Sequence, residues 1–394
     1  MRFSRLVYAA GPLLVLAALL WPGNPLRTLI AGGSAAGPAA DSTAAPPAPE
    51  APPAMPIRIR AVGDVMLGTD FPAARYLPPR GGAALLDGVK DWLLDADLTF
   101  MNLEGPFLDG GRSSKCGSAS SSCYAFRTPT SFGGLLREVD LDLASLANNH
   151  AMDFTSDDPA QDGRRSTMRL LDSLGIAHSG EAGSFASVES NGLRVAMAAY
   201  HAFDHSNYLN DEPAAARFVS RLAETHDVVI VSFHGGAEGG ATRTPRGREF
   251  YLGENRGDLR LFAHTVIDAG ADLVIGHGPH VPRGVEVYNG RLVAYSLGNF
   301  ATYGRFGLSG PLGMAPVLDV TLNPDGSFAS GQILSAKQVG EGIPVQDPAG
   351  RAAALMSRLS AQDFPESEAT VSASGEIRLV PDAQQAAVAP EAAP

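Results

Sequence analysis

The stretch that decides the fold is IRIRAVGD, residues 57–64, in which an apolar-rich run ends at the carboxylate Asp64. Four further blocks repeat this arrangement along the chain, each placing an acid, amide or imidazole just after an apolar run: NLEG at 102–105, ANNH at 147–150, VSFH at 231–234 and IGHGPH at 275–280. Buried strands read as continuous apolar runs, so the polar residue at each end lies where strand gives way to loop. Several such ends can converge on one cleft, which is the layout of a metal site.

The residue types indicate which metals would suit this site. Imidazole and carboxylate ligands suit Zn, Mn and Fe, whereas an all-oxygen site suits Mg or Ca. The candidate ligands are two carboxylates, one amide and three imidazoles, more than one tetrahedral ion needs: Asp64, Glu104, Asn149, His234, His277 and His280. We therefore expect two divalent ions bridged by Glu104. Taken singly, each residue could equally cap a turn or lie in the core, so the hypothesis depends on their joint occurrence.

Six ordered blocks carry a resemblance to a known family: GDVMLG at 63–68, NLE at 102–104, NNH at 148–150, HGGAE at 234–238, GHGPH at 276–280 and YSLGNF at 295–300. From about Ile57 to Lys337 the chain resembles the bacterial capsule-synthesis (CapA, poly-gamma-glutamate synthesis) family. That family is similar in turn to the calcineurin-like metallophosphoesterases. The resemblance implies an α/β fold, a metallophosphatase-like double β-sheet sandwich flanked by helices, with the metals at the strand ends.

The resemblance also implies a division of the ligands between the ions. Asp64 and His280 would hold one ion, and Glu104 would bridge to the other. Asn149, His234 and His277 would complete the second site. His150 would be the catalytic proton donor, a role that an imidazole can fill because its ordinary pKa, about 6.5, lets it hold a proton near neutrality.

Three departures from the phosphoesterase pattern bear on the number of ions. The first block there has a histidine two residues after the aspartate, and here that position is Met66. The second block has Glu104 where phosphoesterases have aspartate, and the last two histidines are three residues apart instead of two. Occupation of a single site is therefore the alternative to two ions. Glu238, four residues after His234, is a candidate to fill the gap, to act as a base or to contact the substrate.

Two cysteines bracket a Gly/Ser-rich loop. Cys116 and Cys123 are the two cysteines of the chain and lie close in sequence, which favours one disulfide in an oxidising compartment. A zinc knuckle would need two more soft ligands, and no histidine lies nearby. The loop precedes residues 125–127, which resemble a sequence block of the same family near its site. Arg127 in this block is expected either to bind a carboxylate or phosphate of the substrate or to form a structural ion pair.

The charge balance limits the partners. The 394-residue chain has a formal net charge of -12. Nucleic acid is excluded as a partner because phosphate binding needs a basic stripe, and none is visible. An anionic polymer would also be repelled overall, and only a local patch of Arg243, Arg246 and Arg248 could relieve this, although a solvated loop is the simpler interpretation. A phosphoester substrate and a membrane synthase complex are the other expected partners.

The N-terminus has the features of an export signal. Arg2 and Arg5 precede an apolar stretch from Leu6 to Trp21, short for a membrane span but ample for a signal sequence. We expect a signal peptide or N-terminal membrane anchor at 1–30, an Ala/Pro-rich linker at 31–56, the CapA-type metallophosphatase-like domain at 57–381 and a disordered tail at 382–394. The protein would then lie in the cell envelope, periplasmic or extracytoplasmic, anchored or secreted.

The alternation of strand and helix patterns predicts an α/β architecture. Predicted strands are 57–62, 98–102, 143–146, 195–200, 228–232, 273–275, 285–288, 291–296, 317–322 and 376–380. Predicted helices are 83–94, 131–139, 166–174, 214–223, 258–269 and 352–360. His201 follows one of these strands; we expect it to be structural, with a position lining the cleft as the alternative.

Joined to the site chemistry, the resemblance predicts an exported protein of capsule or poly-gamma-glutamate biosynthesis or export. As a hydrolase it would use a metal-bound hydroxide against a phosphoester or amide, and His150 would protonate the leaving group. A non-catalytic polymer-binding or scaffold partner of a membrane synthase is a second function, kept open by Met66. A general envelope phosphodiesterase is a third.

Overall fold

A computed structural model describes residues 54–113, 115–116, 123–155, 162–240 and 242–380. The predicted signal peptide or anchor, the linker up to residue 53 and the tail at 382–394 lie outside these residues. Among the helices that the structure describes, none combines the length and the apolar character that crossing a bilayer requires.

The larger of two main sheets has nine strands within the described residues, numbered here in chain order: β1 (Ile57–Met66), β2 (Leu98–Leu103), β4 (Leu143–Ser145), β6 (Ala177–Ser179), β16 (Asn299–Thr302), β17 (Val317–Leu322), β18 (Phe328–Leu334), β21 (Ala369–Val371) and β22 (Glu376–Leu379). Its strands β1, β2, β4 and β6 are parallel neighbours, with β6 at the sheet edge, and β16 also runs parallel to the end of β1. Strands β17, β18, β22 and β21 extend the sheet in antiparallel order. The carboxyl ends of the parallel strands therefore share one edge.

The second sheet has seven strands in the part of the chain described: β7 (Ala186–Ser190), β8 (Leu193–His201), β9 (Asn207–Tyr208), β10 (Val228–His234), β13 (Leu273–His277), β14 (Val285–Tyr288) and β15 (Arg291–Ala294). Strands β8, β10, β13 and β15 are parallel neighbours. Three of them end in histidine, so imidazoles line up along the carboxyl edge of this sheet.

Short hairpins and helices complete the described elements. The paired short strands are β3 (Arg112–Ser113) with β5 (Phe154–Thr155), β11 (Glu249–Tyr251) with β12 (Glu254–Gly257), and β19 (Ala336–Val339) with β20 (Ile343–Gln346). The helices are α1 (Lys90–Leu94), α2 (Gly134–Arg137), α3 (Gly163–Leu174), α4 (Glu212–Ala223), α5 (Leu259–Asp268) and α6 (Arg351–Asp363). Asp162, Asp211 and Asp258 start α3, α4 and α5, because each carboxylate accepts a backbone N–H of the first turn that would otherwise be unpaired.

The apolar side chains form a core between the sheets and a further layer outside each sheet. In β1, Ile57, Ile59 and Ala61 point inward and pack with residues of the second sheet such as Ile230 and Ile275. Outside the first sheet, Val62 and Val65 pack with side chains of α1, α2 and α3. Outside the second sheet, Val229 and Val231 pack with α4 and α5. The predicted α/β double-sheet sandwich flanked by helices is confirmed.

Two predicted helices are wrong in extent. Only Lys90–Leu94 of the predicted 83–94 helix is helical, because Ala84 has φ 71°, outside the helical region. The predicted 131–139 helix is a 3₁₀ turn, Thr130–Gly133, followed by the single turn of α2. Strand β17 has the predicted bounds, whereas the seven-residue strand β18 and several short strands, including β16, were not predicted.

Candidate metal centre

The two sheets bring their carboxyl edges together, and the predicted ligands lie there. Asp64 lies near the end of β1, and Glu104 follows β2 directly. In the second sheet, His234 and His277 are register partners on adjacent parallel strands. Gly63 allows the segment between β15 and β16 to lie against β1, because a Cβ at this position would lie only 1.9 Å from the carbonyl oxygen of Gly298.

Asp64, Glu104 and His280 form the closest group, with one ligand atom from each lying within 4.8 Å of the others. His280 Nδ1 lies 2.9 Å from Asp64 Oδ2, and His280 Nε2 lies 3.5 Å from Glu104 Oε1. His277 Nδ1 lies 3.4 Å from the other Asp64 oxygen. Asn102, which the sequence analysis quoted without assigning it a role, donates to Asp64 at 2.8 Å and fixes that carboxylate.

Glu104 is the most informative residue of the centre. Its side chain is 0% exposed, yet neither carboxylate oxygen has a hydrogen-bond partner among the described residues. Its Oε1 is instead surrounded by imidazole nitrogens, with Nε2 of His234 and of His150 at 3.8 and 3.9 Å. Burial raises the pKa of Glu104 well above its usual range. A buried carboxylate without hydrogen bonds is costly in free energy, and cations held between it and the nearby imidazoles would remove that cost.

Other polar atoms of the centre also lack hydrogen bonds. His234 Nε2, Asn149 Oδ1 and both ring nitrogens of His277 are buried without a hydrogen-bond partner in the described chain, although His277 Nδ1 lies 3.4 Å from Asp64. Buried polar atoms in folded proteins nearly always have partners, so this group of unpaired atoms, in which each neutral imidazole offers one lone pair, fits bound ions. Burial also lowers the pKa of His234 well below its usual range, which keeps its ring neutral and able to bind metal.

The loop after β13 turns back so that His280 faces Asp64. Gly278 has φ 115°, and a Cβ there would lie 2.5 Å from the carbonyl oxygen of Gly235. His280 itself has φ 60°, a conformation that residues other than glycine rarely adopt. The GHGPH segment thus accepts backbone strain to bring its second imidazole back over Asp64.

The carboxylates and His280 also perturb one another. Burial alone would raise the pKa of Asp64, but the imidazoles of His277 and His280 outweigh it and hold that pKa well below its usual range. Burial alone would lower the pKa of His280, but Glu104 and Asp64 raise it to about 10. Without metal, a proton on His280 therefore takes the position that a cation would occupy.

His150 has a positioning partner that the sequence analysis missed. Its Nδ1 lies 2.6 Å from Asp153 Oδ2, and Nε2 faces Glu104. The same Asp153 oxygen accepts the backbone N–H of Phe126, and Asn148 accepts the backbone N–H of His150. The only available signal was the spacing of three residues between His150 and Asp153. Burial lowers the pKa of His150, and Asp153 partly offsets this.

A cleft of about 610 Å³ opens above the centre, and Asn149, His150, Glu238 and His280 line it. Glu238 Oε2 lies 4.0 Å from His280 Nε2, and its other oxygen pairs with Arg256 at 3.1 Å. This position suits the predicted contact with substrate, which stays a prediction.

Arg127 is placed differently. Its Nε donates to Asp70 at 2.6 Å, and Nη1 donates to the carbonyl oxygens of Gly110 and Gly111. This is the ion pair that the sequence left as the alternative, and Arg127 is not among the residues that line the cleft. Its predicted role toward substrate therefore has no geometric support here.

The structure also places the two cysteines, the predicted arginine patch and Met66. Cys116 and Cys123 are bonded, so the predicted disulfide is confirmed. Arg243 and Arg246 pair with Asp363 and Glu366, so they are not a free basic patch. Met66 is buried, and its sulfur accepts the backbone N–H of Gly68 at 3.2 Å.

His201 extends the row of imidazoles by one strand. It is the register neighbour of His234, is 0% exposed, and has no partner for either ring nitrogen among the described residues. Its ring centroid lies 5.5 Å from that of His234. It is not among the cleft-lining residues, in keeping with the structural role expected for it.

Comparison with known proteins places this site in a family. Residues 58–303 match the family described as bacterial capsule synthesis protein PGA_cap. The chain belongs to this family. The resemblance seen in the six sequence blocks is therefore confirmed.

Two curated relatives share this region. The chain is 26% identical over 256 residues to the PGA biosynthesis protein CapA of Bacillus subtilis (strain 168), covering 61% of each protein. It is 25% identical over 261 residues to the capsule biosynthesis protein CapA of Bacillus anthracis, covering 61% of this chain and 58% of the relative. The match thus spans about three fifths of the length of these relatives.

Among solved structures, the chain is similar to purple acid phosphatase PPD1 from yellow lupin seeds, with a TM-score of 0.40 and 12% identity, covering 75% of this chain and 54% of the other.

Proposed function

We propose that this PGA_cap protein is a metal-dependent hydrolase of capsule or poly-gamma-glutamate biosynthesis or export. The observation that supports this proposal is the buried, unpaired carboxylate of Glu104, surrounded by Asp64 and by imidazole nitrogens without hydrogen-bond partners. A structural core would pair such groups with one another or exclude them. A centre that binds divalent cations of the Mn, Zn or Fe type leaves them unpaired for the metal.

The candidate ligands are those of the sequence prediction: Asp64, Glu104, Asn149, His234, His277 and His280. Divalent ions bound there would activate water and neutralise charge on the substrate. Two ions are proposed, and a single occupied site is the alternative because Met66 supplies no ligand.

His150 is the proposed proton donor to the leaving group. The Asp153 carboxylate accepts a hydrogen bond from Nδ1–H, which fixes the ring orientation and leaves Nε2 facing the centre. A histidine oriented in this way can hold a proton at Nε2 and give it to a leaving oxygen or nitrogen. Glu238, on the wall of the cleft, is proposed to contact the substrate.

The proposed substrate is a phosphoester or an amide, the latter including the linkage of an anionic polymer. The proposal is tested by the metal content of the purified protein and by hydrolysis of bis(4-nitrophenyl) phosphate, a generic phosphodiester. His234→Ala is the test variant, and His226→Ala is a matched control because its ring hydrogen-bonds locally, away from the centre. We expect about two ions per chain in the wild type and in the control, with metal and hydrolysis lost together in His234→Ala.

A second function has one specific observation in its favour. Residue 66 is methionine where the phosphoesterase pattern has a histidine, and its sulfur accepts the backbone N–H of Gly68, so it offers no ligand in place of that histidine. A non-catalytic, polymer-binding or scaffold partner of a membrane synthase would retain the fold without needing that ligand. Absence of any bound transition metal in the purified wild type would refute the hydrolase and favour this function.

Export is proposed on the basis of the N-terminal sequence alone. Residues 1–30 would direct the domain to the cell envelope, either as a cleaved signal peptide or as a membrane anchor. Fractionation of cells that express the full chain, compared with the chain lacking residues 1–30, tests this proposal. Recovery of the full chain in the cytoplasm would contradict it.

A further inference from the structure

The wall of the cleft carries an arginine that nothing above assigns. Arg305 lies beside Phe306, and both residues line the cleft together with His150 and His280. The ring of Phe306 stacks on Phe126 with centroids 5.0 Å apart and lies 6.0 Å from the ring of His280. Arg305 therefore lies on the same cleft surface as the candidate metal centre.

The guanidinium of Arg305 is held in place without a counterion. It lies over the rings of Tyr124 and Tyr76, 5.0 and 5.4 Å from their centroids. Its Nη2 donates to the carbonyl oxygen of Cys123 at 3.2 Å, whereas Nη1 is buried and has no hydrogen-bond partner among the described residues. Little conformational entropy remains to be lost when such a group binds an anion.

The other cations near the cleft are already neutralised. Arg256 pairs with Glu238 and Glu254 at 3.1 and 2.9 Å, and Lys115 lies 3.6 Å from Asp153. Arg127 pairs with Asp70. In the part of the chain that the structure describes, no carboxylate lies within 4 Å of the Arg305 guanidinium. Arg305 is thus the cleft-lining cation with its charge still available.

We propose that Arg305 binds an oxyanion of the substrate, a carboxylate or a phosphate, that is separate from the group held at the metal centre. This inference rests on the proposed function, because it assumes that the cleft above the metal centre receives the substrate. The planar guanidinium matches a carboxylate or phosphate with two parallel N–H donors. The substrate would therefore carry at least two polar groups, one that reacts and one that is recognised.

A gamma-linked glutamate chain has this chemistry, since every residue keeps a free α-carboxylate beside the amide bond. A substrate with a second phosphate has it too. Arg305 would then also resolve part of the charge conflict between an acidic protein and an anionic polymer, because it supplies one positive charge at the point of contact.

Binding to the metal-loaded full chain tests the proposal. The probes are a gamma-linked glutamate oligomer, which offers carboxylates, and glycerol phosphate, which offers a phosphate, each titrated by calorimetry at low and at physiological salt. The variants are Arg305→Gln, which removes the charge, and Arg305→Lys, which keeps the charge without the planar fork. Arg378→Gln is the matched control, because it removes an exposed arginine paired with Glu376 on β22.

We expect Arg305→Gln to raise the Kd of at least one probe roughly tenfold, with a smaller rise for Arg305→Lys and no change for Arg378→Gln. The metal content of Arg305→Gln should equal that of the wild type. The probe that is weakened identifies the anion as carboxylate or phosphate. Unchanged Kd values for both probes, or no binding of either probe to the wild type, would overturn the proposal.

Failure of this inference is distinguishable from failure of the proposed function. Hydrolysis of bis(4-nitrophenyl) phosphate by the wild type measures the reaction without a second anionic group. A wild-type protein that binds no transition metal and does not hydrolyse this diester, but binds a probe through Arg305, would refute the hydrolase and keep the anion site.

Discussion

The two sheets contribute different chemistry to the same centre. The edge of the first sheet offers candidate oxygen ligands from Asp64, Glu104 and Asn149, whereas the edge of the second offers candidate nitrogen ligands from His234 and His277, with His280 in the loop that follows. Neither edge alone offers the mixed set that suits a Zn, Mn or Fe ion. The site therefore exists only when the sandwich is assembled, which couples folding to metal binding.

The edges also differ in how their polar groups are held. Asp64 is fixed by Asn102 of its own sheet, whereas Nε2 of His234 has no hydrogen-bond partner in the described chain and the His277 ring has only Asp64 nearby, at 3.4 Å. Across the interface, Glu104 faces these imidazoles without a hydrogen bond of its own. The first sheet thus orients an anion, and the second presents lone pairs to a cation that both sheets would share.

The largest effect on metal affinity should come from replacing Glu104, the carboxylate of the first sheet that is proposed to bridge the ions. Glu104→Gln keeps the size of the side chain and removes the proposed bridging charge, so we expect metal affinity to fall more than about 100-fold. The free energy of unfolding of the metal-free protein should rise by about 1 kcal/mol, because an unpaired buried carboxylate is removed. Metal analysis after dialysis and chemical unfolding measure the two effects.

Glu286→Gln is the matched control for that substitution. Glu286 is a buried carboxylate of the second sheet that accepts from Tyr295 Oη at 2.6 Å and lies 2.7 Å from His264 Nε2. Its loss should destabilise the protein and leave metal binding intact, the reverse of Glu104→Gln. Equal destabilisation by both variants, with metal retained in both, would contradict a metal role for Glu104.

The next effect concerns the proton donor on the first-sheet side. Asp153→Asn should lower kcat about 100-fold with metal content unchanged, because the amide no longer favours the His150 tautomer and orientation that direct Nε2 at the centre. Steady-state hydrolysis of the phosphodiester measures this. Asp172→Asn is the control, since Asp172 lies 3.0 Å from an imidazole, that of His178, in an exposed pair. A comparable loss in both variants would show that Asp153 has no specific role.

The difference between the two sheets could be read in part from the sequence. Strands β10 and β13 follow from continuous apolar runs, and the histidine just after each run marked the edge, although each strand continues through that histidine, two residues past its predicted end. The register that aligns His234 with His277 and with His201 could not be read, because pairing between strands distant in sequence depends on how the sandwich closes. For the same reason β16, a short strand beside β1, carried no local signal.

Pairing partners were the least predictable part of the site. The sequence identified Arg127 as a candidate for substrate and gave no reason to choose Arg305, yet the first pairs with Asp70 and the second has no carboxylate partner among the described residues. Asp153 was equally hidden, since a spacing of three residues implies contact only in a turn such as the one after β4. Which charge is neutralised depends on tertiary contacts, and residue type alone does not report them.

The pH dependence of metal uptake should sharpen the comparison between the sheets. In the metal-free chain, the carboxylates raise the pKa of His280 to about 10, and burial raises that of Glu104. A metal ion must displace the protons that these groups hold, so metal affinity should rise as pH rises, about tenfold per pH unit for each proton released. Calorimetry of Mn²⁺ binding in buffers of different ionisation enthalpy counts those protons. Uptake without proton release would contradict a metal position between Glu104 and His280.

The smallest effect on the centre should come from the disulfide beside the cleft. The bond between Cys116 and Cys123 follows Lys115, which contacts Asp153, and the carbonyl oxygen of Cys123 accepts from Arg305. Replacing both cysteines by serine should cost about 2 kcal/mol of unfolding free energy, as expected for a short loop. Metal content should not change, because both sheet edges are intact, whereas binding of an anionic probe should weaken a few-fold through the loss of order around Arg305.

A reductant should reproduce these effects in the wild type and leave the double variant unaffected, since the chain has no other cysteine. Metal loss on reduction would instead mean that the loop supports the ligands themselves, and that the centre is not built by the two sheets alone.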